Sequence, residues 1–212
     1  MKGINILFAL IIFLFGCNRT PSTESEYLKW LADPDHGITQ SKTINGTIIT
    51  VKYIPDEYLV YKELKRMSGI GNIGKIRDSL RSKYIHSRTF LLTIAPDVDK
   101  KNESDIMYSE VGNYQDYKDR FHSINFNMEE NLLLKTEKNS FAPVLAIAEN
   151  IYSVGNQRTI NLVFADNEIA SGLMESEELD FEFNDPFFHT GVTHFHFKKS
   201  VLENTPEINF VK

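Results

Sequence analysis

Residues 43–51 have the sequence TINGTIITV, in which Asn45-Gly46 separates two runs rich in β-branched residues. Asn-Gly is the favoured centre of a two-residue hairpin turn, because both turn residues must adopt positive φ. After the turn, Ile49, Val51 and Tyr53 alternate with polar residues, a pattern typical of a strand with one buried face. This stretch therefore predicts a tight antiparallel hairpin and a sheet built from strands that are neighbours in sequence.

Segments with strand character are most frequent in the second half of the chain. Residues 89–95 form a near-continuous apolar run before Pro96, which favours a central strand buried on both faces. The other strand candidates are 132–134, 144–148 (where a helix would also fit), 159–164, 178–183, 192–197 and 208–211. Strands that follow one another without intervening helices favour antiparallel pairing over a parallel α/β arrangement.

Helical patterns are concentrated in the first half. Thr23 and Glu26 have the spacing of a capping box, which predicts a short helix from Glu26. Pro55 precedes a second helical segment, residues 73–80 suggest a third, and apolar residues recur at helical spacing over 114–121. We therefore expect an α+β fold with an antiparallel sheet and a few helices mainly in the N-terminal half. A sandwich-like arrangement of the strands is also compatible with these patterns.

Composition indicates one globular domain. The chain has 212 residues, of which 42% are hydrophobic and 12% aromatic, values of folded rather than disordered proteins. The formal net charge is −6, and without residues 1–16, which carry Lys2 and no acid, 22 basic residues face 29 acidic ones, giving −7. An acidic domain lacks the positive surface that nucleic acid requires, so we expect no nucleic-acid partner.

The N-terminus has the organisation of an export signal. Lys2 precedes an unbroken apolar run at residues 6–15. As a helix this run would span roughly 15 Å, half of the roughly 30 Å hydrocarbon core of a membrane. It is therefore too short to span a bilayer and has the length of a signal-peptide core. The alternatives are an uncleaved N-terminal anchor or a buried helix.

The run ends in Leu14-Phe15-Gly16-Cys17, which resembles the lipobox of bacterial lipoproteins. The resemblance implies cleavage before Cys17, multiple acylation of that cysteine and effectively permanent membrane attachment. Cys17 is the only cysteine, so a lipidated chain would have no free thiol, disulfide or cysteine nucleophile. Residues 44–53 and 90–96 are similar to segments of uncharacterised bacterial lipoproteins, a resemblance that implies export and no particular activity.

These observations predict three parts: a signal peptide at 1–16, a lipidated Cys17 with a flexible linker to residue 25, and one α+β domain at 26–212. The eight linker residues can extend about 28 Å, so the domain would stay close to its membrane. Asn18, Arg19 and Thr20 do not match the acidic signal that directs some lipoproteins to the cell surface. This favours an outer-membrane anchor facing the periplasm.

His194 and His196 are the best candidates for a site on the domain. On a strand, residues two apart share a face and their Cβ atoms lie about 7 Å apart, near enough to share a metal. His189, Asp185 or Glu182 would have to supply a further ligand. The alternative is an ordinary pair of solvent-facing histidines on an exposed strand. Because this alternative is favoured, we assign no metal to the protein.

Other chemical motifs are weak. Residues 69–74, GIGNIG, match G-x-G-x-x-G, but a helical segment precedes them where the dinucleotide-binding motif needs a strand. A helix–helix connection explains these glycines better, so we expect no cofactor. There is no G-x-S-x-G or H-E-x-x-H motif, and paired acids such as Glu177-Glu178 lie in polar stretches. No catalytic residue can be assigned.

The loop at residues 185–191 carries two adjacent aromatic residues, Phe187 and Phe188. Either both pack under the loop, or one is exposed as a contact residue for a partner.

Three functions remain open. The leading hypothesis is a non-enzymatic, membrane-tethered binding or accessory lipoprotein whose partner is another envelope protein. The second is a periplasmic hydrolase with a dispersed active site, which a deep pocket with perturbed carboxylates would favour, whereas a flat aromatic patch would favour the first. The third is an immunity or inhibitor lipoprotein with a concentrated acidic face.

Overall fold

The structure, a computed structural model, describes residues 20–67, 73–97, 105–149, 155–167 and 169–208. The expected signal peptide at 1–16 and the lipidation site Cys17 lie outside the described residues. So do most of the glycine motif and the last expected strand beyond Ile208. None of the described helices has both the length and the apolarity that crossing a membrane requires.

The helices are α1 (Glu24–Ala32), α2 (Asp56–Arg66), α3 (Ile73–Tyr84), α4 (Tyr114–Phe126) and α5 (Lys199–Glu203). The strands are β1 (Thr39–Ile44), β2 (Thr47–Ile54), β3 (Ser87–Pro96), β4 (Leu132–Lys135), β5 (Ser140–Phe141), β6 (Leu145–Ala148), β7 (Arg158–Ala165), β8 (Glu178–Asn184) and β9 (Val192–Lys198). Single 3₁₀ turns lie at Pro34–His36, Ile106–Tyr108 and Met128–Asn131.

The strands form two antiparallel sheets. One has five strands in the order β1-β2-β3-β7-β6, and the other has four in the order β5-β4-β8-β9. Three of the described helices, α1 to α3, precede β3. The expected α+β class, with antiparallel sheets and mainly N-terminal helices, is confirmed.

The β1–β2 hairpin has the predicted turn. Asn45 has φ 52° and Gly46 has φ 82°, and Ile44 lies opposite Thr47 across the two-residue loop. Both positive values match a type I′ turn, which suits the right-handed twist of the flanking strands.

The two sheets face each other across an aromatic core. The Phe90 ring on β3 lies 5.5 Å from the Phe181 ring on β8 and 5.3 Å from the Phe197 ring on β9. Phe164 on β7 meets Phe181 edge-on at 5.9 Å. Such tilted and edge-on pairs add about 0.5–1.5 kcal/mol each to the burial of the rings. The molecule is therefore a two-sheet sandwich with helices at its ends and edges.

Two expectations about strands are resolved. Residues 144–148, which would fit a strand or a helix, contain the strand β6. Residues 89–95 were expected to be buried on both faces, but Phe90, Leu92 and Ile94 are buried while Leu91 and Thr93 are only half-buried. The second face of β3 looks away from the opposing sheet, so only one side of the strand meets the sandwich core.

The linker expected after Cys17 ends earlier than residue 25. Thr23 caps α1 by accepting a hydrogen bond from the Glu26 backbone N–H at 3.2 Å, which places the first helical residue at Glu24 rather than Glu26. Pro21 is already buried. From Cys17 to Pro21 a fully extended chain spans at most about 14 Å, half of the expected reach.

Candidate binding sites

The two histidines occupy the face of β9 that was predicted. Phe195 and Phe197 are buried in the core, while His194 is half-buried and His196 is exposed on the opposite face. The two imidazole rings are nearly parallel, with centroids 6.4 Å apart.

Carboxylates of the neighbouring strand β8 surround the pair. The register places Asp180 opposite His196 and Glu182 opposite His194. Asp180 Oδ2 lies 2.8 Å from His194 Nδ1, and its Oδ1 lies 3.4 Å from His196 Nδ1. Glu182 accepts a hydrogen bond from Lys135 Nζ at 2.5 Å and lies 3.8 Å from His194 Nε2.

Of the three additional metal ligands expected from the sequence, only Glu182 lies beside the pair, and Asp185 and His189 have other partners. The Asp185 carboxylate accepts hydrogen bonds from its own loop, including those of the Phe188 and Thr190 backbone N–H groups at 2.9 and 2.8 Å. His189 Nε2 lies 3.5 Å from a Glu110 carboxylate oxygen. Within the described ranges, no group of three or more histidine, cysteine and acidic side chains has a geometry that could hold a metal ion. The pair belongs to a cross-strand charge cluster.

The loop phenylalanines both pack inward. Phe188 is buried and Phe187 is partly buried against the core. The Arg120 guanidinium lies over both rings, 4.8 Å from the Phe188 centroid and 5.5 Å from that of Phe187. Burial lowers the pKa of Arg120, against the opposing influence of Asp185 and other nearby acids. The loop is therefore held by packing and does not present an aromatic contact residue.

A row of aromatic residues, three exposed and two half-buried, lies instead on and beside α4. We define the aromatic surface as five residues of this region: Tyr108, Tyr114, Tyr117, Phe121 and Phe126. The Tyr117 ring stacks on those of Tyr108 at 5.2 Å, Tyr114 at 6.5 Å and Phe121 at 6.2 Å. Tyr114 is 79% exposed, Tyr108 61% and Phe126 54%, so much of this aromatic area faces solvent.

Helix α4 packs against β6, which is the end strand of the five-stranded sheet. On β6, Ala148 is buried, whereas Leu145 and Ile147 on the other face are 45% and 51% exposed, and the preceding Val144 is 56% exposed. Among the described residues, no strand pairs with the outer side of β6. Two apolar sets, the aromatic surface and these aliphatic side chains, thus flank one sheet edge.

The other three end strands of the two described sheets are protected. β1 exposes Ser41, Lys42 and Thr43 at its centre, and β5 is only two residues long. β9 carries the charged cluster described above and ends in the exposed Lys198. Polar or charged side chains and short length are the usual means of preventing strand addition at an edge. β6 has neither charge nor polar side chains, so it differs from the other three edges.

A separate pocket of about 360 Å³ opens between the N-terminus of α2, the C-terminus of α3 and α5. Arg88, at the start of β3, lies at this site with only 5% of its side chain exposed. It donates a hydrogen bond to the Tyr53 hydroxyl at 3.2 Å, and its Nη2 lies 3.6 Å from Glu203 Oε1. We call this the Arg88 pocket; its lining includes Asp56, Glu57, Arg81, Ile85, Met174, Leu202, Glu203 and Thr205.

Asp56 is the most perturbed carboxyl group of the pocket. Burial raises its pKa from 3.8 to about 6, against the opposing effect of the Arg88 charge. Its Oδ1 is buried with no hydrogen-bond partner among the described residues, and so is Arg88 Nε. Burial also raises the pKa of Tyr53 to about 12, so its phenol stays protonated and available as a donor.

Sequence reasoning missed the Arg88 pocket and the β6 edge. The pocket joins residues 56, 88 and 203, which no local pattern connects. The edge had a visible signal, because residues 142–148, APVLAIA, contain no charge, but the sequence does not show that β6 ends its sheet.

No protein-family description matches the chain, and no curated protein matches it. A crystal structure described as a novel protein of unknown function, from Burkholderia pseudomallei, is 11% identical in sequence. The alignment covers 86% of this chain and 88% of that chain, with a TM-score of 0.36. A likeness this distant carries no argument about fold or function.

Proposed function

We propose that this chain is a lipid-anchored lipoprotein of the cell envelope and acts as a non-enzymatic binding module. Its partner is another envelope protein, which adds a strand to the free edge of β6 and packs against the aromatic surface. Strand addition obtains affinity from backbone hydrogen bonds and specificity from the alternate side chains beside them. The observation that carries the proposal is an uncharged, apolar end strand in a domain whose other three end strands are protected.

The chemistry of the edge favours a protein over a small molecule or nucleic acid. Val144, Leu145 and Ile147 offer aliphatic area on a strand whose outer side pairs with no described strand, and the aromatic surface offers rings of the type enriched at protein interfaces. Several exposed apolar side chains in one part of a protein surface are typical of an interaction site. The net negative charge of the chain opposes nucleic-acid binding.

The tether fits this role. A lipidated Cys17 would hold the domain near an outer membrane facing the periplasm. The short distance to the buried Pro21 would also raise the effective concentration of the domain relative to any partner in that membrane. The lipid, rather than the acidic surface, would supply membrane attachment.

The matched variants Ile147→Lys and Thr43→Lys test the edge. Both replace an exposed strand residue of the same sheet with the same cation, but only Ile147 lies on β6. We expect Ile147→Lys to reduce co-purification of the partner from detergent-solubilised envelopes by about tenfold or more, because a lysine on an edge opposes strand addition. Thr43→Lys should leave co-purification unchanged.

If both variants lose partner co-purification equally, or if Ile147→Lys loses none, the β6 edge is not the binding site. If the species held at this edge is a second copy of the chain, recognised by its mass, the proposed envelope partner is wrong and β6 is a dimer interface.

The hydrolase alternative has one specific observation in its favour, the raised pKa of Asp56 in the Arg88 pocket. Perturbed carboxylates cluster at catalytic sites, although ion-pair networks also perturb them. His194 and His196 do not line this pocket. Turnover assays on envelope esters, glycans and peptides that respond to Asp56→Asn would support this alternative.

A further inference from the structure

The Arg88 pocket lies at the α2–α5 end of the sandwich and shares none of its lining residues with the β6 edge. An arginine this deeply buried is costly unless its charge and hydrogen-bond donors are matched. Here Nη1 reaches the Tyr53 hydroxyl, while Nε is buried without a partner among the described residues. The pocket lining therefore includes a buried cation with one donor that has no partner among the described residues.

The carboxylate nearest to Arg88 is held loosely. Glu203 Oε1 lies 3.6 Å from Arg88 Nη2, beyond ordinary hydrogen-bond distance, and 54% of the Glu203 side chain is exposed. Rotation of this side chain can free one edge of the guanidinium and carry the carboxylate to a cation nearby. Arg81, the other arginine of the lining, is bound to Glu57 at 2.5 Å.

We propose that the Arg88 pocket binds a free neutral α-amino acid. The ligand carboxylate takes the place of Glu203 at the Arg88 guanidinium, an arrangement that suits the planar fork of arginine. The ligand ammonium group pairs with the displaced Glu203 carboxylate. Ile85, Met174 and Leu202 supply an apolar wall for an aliphatic side chain.

The charge arrangement disfavours simple anions and simple cations. A simple anion would satisfy Arg88 but face the carboxylates of Asp56 and Glu203, and a simple cation would face Arg88. A zwitterion that carries both of its charged groups on one carbon matches both the Arg88 cation and the nearby carboxylates. The volume of about 360 Å³ lies near the lower end of the range of ligand pockets, which limits the ligand to small molecules.

Calorimetry on the full lipidated protein in detergent tests the proposal with L-leucine, L-leucinamide and N-acetyl-L-leucine. The amide lacks the carboxylate and the acetyl compound lacks the ammonium group. We expect saturable binding of leucine with a Kd of roughly 1 mM or tighter, and at least about tenfold weaker binding of both analogues, because each loses one charged pair.

Two variants assign the effect to the pocket. Glu203→Gln should weaken leucine binding about tenfold, since it removes the partner of the ammonium group while leaving Arg88 in place. Glu177→Gln changes an acid whose side chain is 79% exposed and which does not line the pocket, and should have no effect.

Leucinamide or N-acetyl-leucine binding as tightly as leucine would overturn the zwitterion assignment. So would the absence of saturable binding across glycine, alanine, valine and leucine, or equal effects of the two variants. The test is independent of the β6 edge: failure here leaves the proposed protein partner intact, and Ile147→Lys should not change amino-acid binding.

Discussion

Asp56 and Arg88 come together because antiparallel pairing of β2 with β3 returns the chain to the same end of the sheet. Asp56 follows β2 after Pro55, and Arg88 is the second residue of β3. The result is a half-buried carboxyl group under the electrostatic influence of a buried guanidinium, where desolvation outweighs the attraction and raises the pKa of Asp56 to about 6.

The raised pKa makes folding stability depend on pH in a defined direction. Because the pKa of Asp56 rises from 3.8 to about 6 on folding, the folded state binds its proton more tightly. The contribution of Asp56 to the free energy of unfolding is fully present below about pH 4 and is lost as pH rises through about 6. From this shift we expect the free energy of unfolding of the wild type to fall by about 2 kcal/mol between about pH 4 and pH 6 through Asp56 alone. Asp56→Asn should remove this fall.

Urea unfolding of the wild type and of Asp56→Asn at pH 4, 5, 6 and 7 measures this. The difference in the free energy of unfolding between the two proteins should change with pH in that window and level off above it. A constant difference across the series would show that Asp56 titrates normally in the folded protein.

At the scale of elements, the parts of the fold that local chemistry determines could be predicted. Asn45-Gly46 identified the first hairpin, because only residues that tolerate positive φ fit a type I′ turn. The period-two pattern of 192–197 correctly placed His194 and His196 outside the core. The short run at 144–148 was ambiguous, because four to five apolar residues do not distinguish strand from helix.

What local pattern could not provide is strand order. The cluster around Asp180 depends on the β8–β9 register, and the exposed β6 edge depends on β6 ending its sheet. The Arg88 pocket needs α5 to meet the start of β3, although the two elements are more than a hundred residues apart in sequence. The cluster, the edge and the pocket are consequences of tertiary packing. Hydrophobic periodicity along one segment carries no information about such packing.

The hairpin turn gives a test at this scale. Gly46 has φ 82°, and its carbonyl accepts a hydrogen bond from the Asp97 backbone N–H at 2.8 Å, so the turn is also tied to the end of β3. Gly46→Ala forces a Cβ into the left-handed region and should lower the free energy of unfolding by about 1 kcal/mol or more.

Thermal or urea denaturation measures the change, with Gly112→Ala as a control. Gly112 lies outside the positive-φ region, and its added Cβ would meet only the end of the Asp116 side chain at 3.3 Å. Equal losses in the two variants would show that turn conformation is not the cause.

At the scale of the whole molecule, three features are separated in space or sequence. The expected lipid anchor at Cys17 precedes α1, the β6 edge lies at the far end of the five-stranded sheet from β1, and the Arg88 pocket lies beside α2, α3 and α5. If Cys17 is lipidated, the domain would be held near a membrane through α1, and the apolar β6 edge would lie at the opposite end of the five-stranded sheet from β1. This arrangement suits a tethered module that binds a neighbouring protein.

Photocrosslinking in intact cells tests this account most directly, with a photoreactive amino acid placed at Leu145 on β6 or at Thr43 on β1, followed by membrane fractionation. We predict adducts with a second envelope protein from position 145 and none from position 43, in the membrane fraction when Cys17 is present. Cys17→Ala should move the protein to the soluble fraction. Equal adducts from both edges, or a Cys17→Ala protein that stays with the membranes, would contradict the account.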